Sequence, residues 1–195
     1  ALPISVEFTL PAPGLHNVYN ALAAASAALV LNISLTEIAE GLSTFSGAKG
    51  RLQPKQGFGG AKLIDDTYNA NPMSMKAAID VLSGVEGKRI FVMGDMAELG
   101  VDAPSMHAEI GQYAKDAGVE NFFALGVLSH VAVKAFGENA EHFESVDELV
   151  EALKLSVAKY PEPPSVKVTF VIAPLEIAIV AFAPVPTPPV NGTFV

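Results

Sequence analysis

Between residues 61 and 172 short apolar runs alternate with longer segments whose apolar positions recur every three to four residues. "AKLIDD" (61–66) and "NFFALG" (121–126) have the length of strands, and "RIFVMG" (89–94) is apolar without alternation, the mark of a strand covered on both faces of a parallel sheet. "EHF" (141–143) and "VKVTFVI" (166–172) complete the strands. Helices are expected between them. Asn71-Pro72 supplies an N-cap and a proline at the first helical position. A helix over about 103–117 closes at Gly118. "LSHVAVKAF" (128–136) reads as the next helix, and Ser145-x-x-Glu148 caps "VDELVEALKLSVAKY" (146–160). Strand and helix in alternation predict an α/β domain over 50–172, a doubly wound and mostly parallel sheet. Ligands of such sheets bind at the carboxyl ends of the strands, where Asp65, Asp66 and the loop "GDMAELG" (94–100) fall.

The segments on either side read differently. "SVEFTL" (5–10) alternates as a short strand, and "PAPG" ends it. "HNVYNALAAASAALVL" (16–31) is Ala-rich and apolar all round, so it is expected as a buried helix. "SLTE" (34–37) is a capping box opening the helix "LTEIAEGLSTF", and "SGAKGRLQP" (46–54) reads as a loop and a candidate hinge or domain boundary. The tail 173–195 breaks the pattern, with one charged residue, Glu176, and five prolines.

Composition narrows the function classes. A chain of 195 residues holds one full domain and part of another. A net charge of -9, with 12 basic residues that do not cluster, argues against nucleic acid and anionic membrane as partners. The absence of Cys excludes disulfides and thiolate metal sites and fits a cytosolic protein. The opening residues have no signal-peptide character and look like a cut inside a longer protein. His107, His130 and His142 lack metal-ligand spacing, and His130 and His142 are expected at the surface. With no Walker A motif and no G-x-S-x-G, nothing in this sequence cradles a triphosphate by itself.

Three stretches carry candidate chemistry, each with a plainer reading beside it. In "IDDTYNANP" (64–72), carboxylates at a strand end can hold ribose hydroxyls or Mg2+, and Asn amides suit an adenine edge; the same residues also favour turns and caps. In "VMGDMAELG" (92–100), Asp95 and Glu98 can face an amine, or simply form an acidic loop before a helix. In "GLHNVYNALAA" (14–24), Asn17 and Asn20 share one helix face and can reach one ligand, whereas His16 or Asn17 can merely cap the helix.

In this order, "GLHNVYNALAA", "KGRLQ", "LIDDTYNANPMSMKAAI", "VMGDMAELG" and the His of "MHAEIG" resemble the Mur ligase family over about residues 8–172. "YNANP" with "GDMAELG" is similar to its members that add D-alanyl-D-alanine (D-Ala-D-Ala) to UDP-MurNAc-tripeptide, an ATP-dependent, Mg2+-assisted amide ligation in peptidoglycan synthesis. The resemblance implies that 1–49 is the helical end of a central ATPase domain and 50–172 a Rossmann-like C-terminal domain. The P-loop, the Mg2+ ligands and the family's carbamylated Lys are then expected upstream, and the chain alone is expected to be inactive. Asn17 and Asn20 match asparagines near the adenine, Arg51 an arginine at the nucleotide phosphates, and Asp66 a ribose contact. Asn69 and Asn71 match amides beside the nucleotide. Asp95 and Glu98 are placed near the dipeptide, and Asp65 is expected to help the turn or to meet a neighbouring helix. The sequence departs from the family after the last strand, where the Lys and Arg of a "KGSR"-like turn are missing, so 173–195 carries no site.

Other readings compete. A folylpolyglutamate synthase would share the fold but not "YNANP" with "GDMAELG". A receiver-like phospho-acceptor domain would share "LIDD", but it requires a third Asp after its third strand and a Lys after its fifth. Here Asp95 follows the second strand of the domain and Lys167 lies inside the last. A binding module without activity fits the isolated chain.

Overall fold

The computed structural model describes residues 5–159 together with strands at 166–171 and 190–194. The rest of the 173–195 tail, Ile172 and Tyr160 lie outside the described residues. The chain divides into two compact units, the larger beginning at Lys49.

The first unit contains β1 (Val6–Leu10), α1 (Leu15–Val30) and α2 (Leu35–Ser43). Ser34 caps α2 as the sequence predicts: its hydroxyl accepts from the Glu37 amide while the Glu37 carboxylate reaches back to the Ser34 amide. Leu10, Ala12 and Ala21 form a small core. The expectation of a buried α1 is corrected. Only Ala21 and Ala25 are buried, whereas Leu15, Tyr19, Leu22, Leu29 and Val30 are exposed. The helix carries more apolar surface than one ribbon and one short helix can cover.

The larger unit is built on β2 (Gln53–Gln56), β3 (Lys62–Asp65), β4 (Lys88–Met93), β5 (Asn121–Leu125), β6 (Ala140–Phe143) and β7 (Val166–Val171). Its helices are α3 (Pro72–Ser83), α4 (Ala103–Asp116), α5 (His130–Phe136) and α6 (Val146–Ala158). The six strands lie in the order β2-β3-β7-β4-β5-β6, with only the β2–β3 pair antiparallel. A last strand, β8 (Val190–Phe194), pairs antiparallel with β1 in the first unit; the sequence pattern of the tail did not suggest it.

Side-chain alternation builds two cores. Phe91 and Met93 of β4 and Phe122 of β5 pack with Met75, Ile79 and Leu82 of α3, Ile110 of α4 and Phe136 of α5. Ile90 and Val92 of β4 and Phe123 and Leu125 of β5 point the other way, onto Leu149, Leu153 and Val157 of α6. With α3, α4 and α5 on one face and α6 on the other, the sheet is doubly wound. Gly111 lets α4 and α5 meet at backbone distance, since a Cβ there would lie 2.1 Å from the Ala132 carbonyl oxygen. Among the described residues no helix is long and apolar enough to cross a membrane.

β2 corrects the expectation of a loop through residue 54. Its residues, Gln-Pro-Lys-Gln, have no strand signature. They are held at the sheet edge by β3 alone, where Pro54 is tolerated because one side of the strand has no ladder partner.

Candidate functional site

Two loops follow the carboxyl ends of β3 and β4, parallel strands of the larger unit with β7 between them. The first joins β3 to α3. Asp65, the last residue of β3, is 3% exposed. Its carboxylate pairs with Lys55 and accepts from the amide (3.1 Å) and hydroxyl (2.7 Å) of Thr67. Burial pushes its pKa up, but the Lys55 ammonium and the Thr67 donors outweigh burial and hold it below the usual carboxylate range. Asp65 is thus a buried anion that shapes the turn.

Asp66 behaves in the opposite way. It is half-buried, and its Oδ1 accepts from the Leu52 amide at 3.1 Å. Burial pushes its pKa up to about 6, against the pull of the Leu52 amide and the Arg51 guanidinium. Neighbouring carboxylates therefore sit in opposed electrostatic environments.

The Asp66–Leu52 contact fastens the chain just after Lys49 to this loop. Tyr68 donates its amide to the Gly50 carbonyl at 3.0 Å, and Gly50 donates to Gln53 Oε1 at 3.2 Å. Gly50 and Leu52 both have positive φ, 68° and 47°. For Leu52 that conformation costs about 1–2 kcal/mol. Arg51, between them, lays its guanidinium over the Tyr68 ring, 4.2 Å from the centroid. Arg51 takes part in none of the ion pairs among the described residues. Asn69 accepts from the Ala70 amide, and Asn71 caps α3 by accepting from the Ser74 amide, so both carboxamides keep their NH2 groups for another acceptor.

The second loop, 94–100, follows β4. Asp95 accepts from three successive amides ahead of α5: Val127 (2.8 Å), Leu128 (2.9 Å) and Ser129 (2.7 Å). Gly126 is needed beside it, because a Cβ there would fall 2.4 Å from Asp95 Oδ1. His107 is fully buried in α4. Its Nε2 accepts from the Met96 amide at 2.9 Å, so Nδ1 carries the hydrogen donated to the Ala103 carbonyl. Glu98 is exposed with φ of 62°. Asp95 and His107 thus hold the loop's backbone, and Glu98 keeps a carboxylate without a hydrogen-bond partner among the described residues.

In the first unit Asn17 donates to the Pro13 carbonyl, and Asn20 reaches Asn17 Oδ1 at 3.4 Å, so the two amides do share one face of α1. The helix begins after Gly14 without a side-chain cap, so neither His16 nor Asn17 serves as one. The structure brings Arg51, Asp66, Asn69 and Asn71 onto two touching segments of the larger unit; Asp95 and Glu98 lie on the separate loop after β4. Sequence reasoning missed the roles of Tyr68, Leu52 and His107. The glycine of "KGRLQ" is the one signal for the first two.

The sheet is that of a Rossmann-like α/β domain, with Arg51 in none of the ion pairs among the described residues and the half-buried Asp66 just beyond the end of β3. Residues 50–160 match the family model described as Mur ligase, glutamate ligase domain. The chain is 42% identical over 155 residues to the UDP-N-acetylmuramoyl-tripeptide--D-alanyl-D-alanine ligase of Escherichia coli, covering 80% of this chain and 34% of that protein. It is 35% identical over 163 residues to the ligase of the same name from Bacillus subtilis, covering 80% and 36%. A crystal structure of MurF from Acinetobacter baumannii superposes with a TM-score of 0.75 at 34% identity, covering 88% of this chain and 39% of that one. The chain belongs to the Mur ligase family. It spans about a third of the length of the curated relatives it matches.

Proposed function

We propose that this chain is the C-terminal part of an ATP-dependent amide ligase that joins D-Ala-D-Ala to UDP-MurNAc-tripeptide in peptidoglycan synthesis. The observation that carries the reading is the turn at Gly50–Leu52. It puts a guanidinium that joins no ion pair among the described residues beside a carboxylate whose second oxygen accepts no hydrogen bond among them, in a chain 42% identical to a ligase of that name. A guanidinium suits phosphate, and a carboxylate suits ribose hydroxyls. On this reading Arg51 contacts the nucleotide phosphates and Asp66 the ribose, with Asn69 and Asn71 offering NH2 donors beside the nucleotide. Asn17 and Asn20, which share one face of α1, are assigned to the adenine on the family resemblance. Asp95 and Glu98 belong to the dipeptide loop, Asp95 shaping it and Glu98 presenting a carboxylate to the dipeptide's amine.

In the reaction, the tripeptide carboxylate attacks the γ-phosphorus of ATP and ADP leaves. The D-Ala-D-Ala amine attacks the resulting acyl phosphate, expelling phosphate and losing a proton. This chain's residues act by positioning and charge neutralisation, and none forms a covalent bond. Mg2+ would supply further phosphate neutralisation, and the family resemblance assigns its ligands mostly to the upstream part of the parent. Residues 1–49 then end the central ATP-binding domain, which agrees with the open apolar faces of α1. Residues 50–172 form the closing domain, and 173–195 carries no catalytic role. The reaction belongs in the cytoplasm, where ATP and UDP-linked precursors are found.

Phosphate release tests the reading. The full-length parent should release phosphate from ATP only when both UDP-MurNAc-tripeptide and D-Ala-D-Ala are supplied, and pure 1–195 should release none. Turnover by pure 1–195, or a parent indifferent to D-Ala-D-Ala, would overturn it.

A further inference from the structure

Arg51 is an arginine on a short turn next to the boundary between the two units, and an unrestrained arginine there would sample many rotamers. The structure restrains it through its neighbours. Gly50 and Leu52, both left-handed, reverse the chain on either side and throw the Arg51 side chain across onto the β3–α3 loop. The Gly50 carbonyl is tied to the Tyr68 amide, and a Cβ on Gly50 would come within 3.0 Å of that nitrogen. The Leu52 amide is tied to Asp66. Between these two ties the guanidinium carbon sits over a Tyr68 ring that is 64% exposed, 4.2 Å from its centroid. The ring's hydroxyl has no hydrogen bond among those described. A large aromatic residue left this open does not contribute to either core of the unit. Its contact is the cation.

We infer that Tyr68 is the positioning residue that presents Arg51 to the polyphosphate of the nucleotide. This rests on the phosphate reading of Arg51 and adds to it. With the ring holding the guanidinium from one side, its N–H donors remain for two oxygens of a phosphate in the planar, forked geometry that arginine favours. The turn also means that a phosphate held by Arg51 is tied to the backbone only two residues from Lys49, where the larger unit begins.

The test is a double-mutant cycle in the full-length parent, with Tyr68→Phe, Tyr68→Leu, Arg51→Ala and the Arg51→Ala/Tyr68→Leu double variant. Steady-state kinetics would be measured for each of the three substrates. Tyr68→Leu keeps apolar bulk but removes the π face, and it should raise the KM for ATP about two- to fivefold, the range of an exposed cation–π contact. The KM values of the other two substrates and the melting temperature should stay unchanged. Tyr68→Phe should restore the ATP KM, since the hydroxyl is not used. In the Arg51→Ala background Tyr68→Leu should add nothing. An equal effect of Tyr68→Leu with and without Arg51 overturns the proposal, as does a Tyr68→Phe variant as impaired as Tyr68→Leu. A separate readout in the 195-residue chain is the Arg51 Nε–H proton, which should be shifted upfield by the ring and lose that shift in Tyr68→Leu. If Arg51→Ala leaves the ATP KM unchanged the proposal falls with the phosphate reading; a persisting ring-current shift would place the fault in that reading rather than in the stacking.

Discussion

Replacing Asp66 by Asn should make the 195-residue chain more stable at neutral pH, and by an amount that depends on pH. Asn keeps an oxygen for the Leu52 amide and nearly the same volume, so the change removes charge and little else. The folded-state pKa of Asp66 is raised from 3.8 to about 6. A raised carboxyl contributes stability that is fully present below the unfolded value and is lost as pH rises through the folded one, because the unfolded chain gives up its proton first. A shift of about two pKa units, at about 1.4 kcal/mol each, sets an upper limit near 3 kcal/mol. Solvent reaches this half-buried side chain and screens part of that, which leaves about 1–1.5 kcal/mol. Thermal melts of the two proteins at pH 4.0 and pH 7.5 would show it. At pH 4.0 the curves should nearly coincide, and at pH 7.5 the variant should melt about 3–5 °C higher. A gap that does not change with pH, or a wild type that melts higher at pH 7.5, would refute the argument that burial of the charge dominates at this carboxylate. The same substitution should weaken nucleotide binding in the full-length parent, which makes Asp66 a position where stability and function oppose each other.

Asp65→Ala should lower thermal stability by roughly 2 kcal/mol, since it strands Lys55 and two Thr67 donors; in the parent Asp66→Ala should instead raise the ATP requirement, and the reverse pattern in melts and kinetics would exchange the two roles. Arg51→Ala in the parent should lose roughly 1.5–3 kcal/mol of nucleotide binding without changing the melting temperature, and unaltered kinetics under subsaturating ATP would remove it from the site. Gly111→Ala should destabilise the larger unit by about 3 kcal/mol in urea melts, because the new methyl meets the Ala132 carbonyl of α5; a neutral variant would mean that the two helices part without penalty.

What the sequence made legible was local. The caps at Ser34, Asn71 and Ser145 are visible because acceptor and donor lie three residues apart, and all three form. β4 is visible because a strand covered on both faces must be apolar throughout. β2 was hidden because an edge strand of Gln, Pro, Lys and Gln owes its existence to β3 rather than to its own propensity. The exposure of α1 was hidden because composition reports how much apolar surface a helix offers, not what is present to cover it. At the site, the cluster of Asp and Asn was plain, and the opposed environments of Asp65 and Asp66 were foreshadowed by strand alternation. The stack of Arg51 on Tyr68 was not, since residues seventeen apart meet only because two left-handed backbone positions turn the chain back on itself.

The place of β7 in the sheet has a consequence for how this unit comes into being. The strand lies between β3 and β4, yet it is the last of the six in the chain. While a ribosome is still making residues 67 to 165, the facing edges of β3 and β4 have no strand between them, and the sheet exists as two separate parts with unpaired backbone. Pairing of β3 with residues 166–171 spans about a hundred residues, so closure is a late, long-range event. Until then the edges are open to the wrong partner. The loop that carries Asp66 and Tyr68 hangs from β3, which until the far end of the chain arrives is paired with β2 alone. A nascent chain released before Val166 has every residue of the candidate site and the local ties from Gly50 and Leu52, but no sheet to join them to the loop after β4.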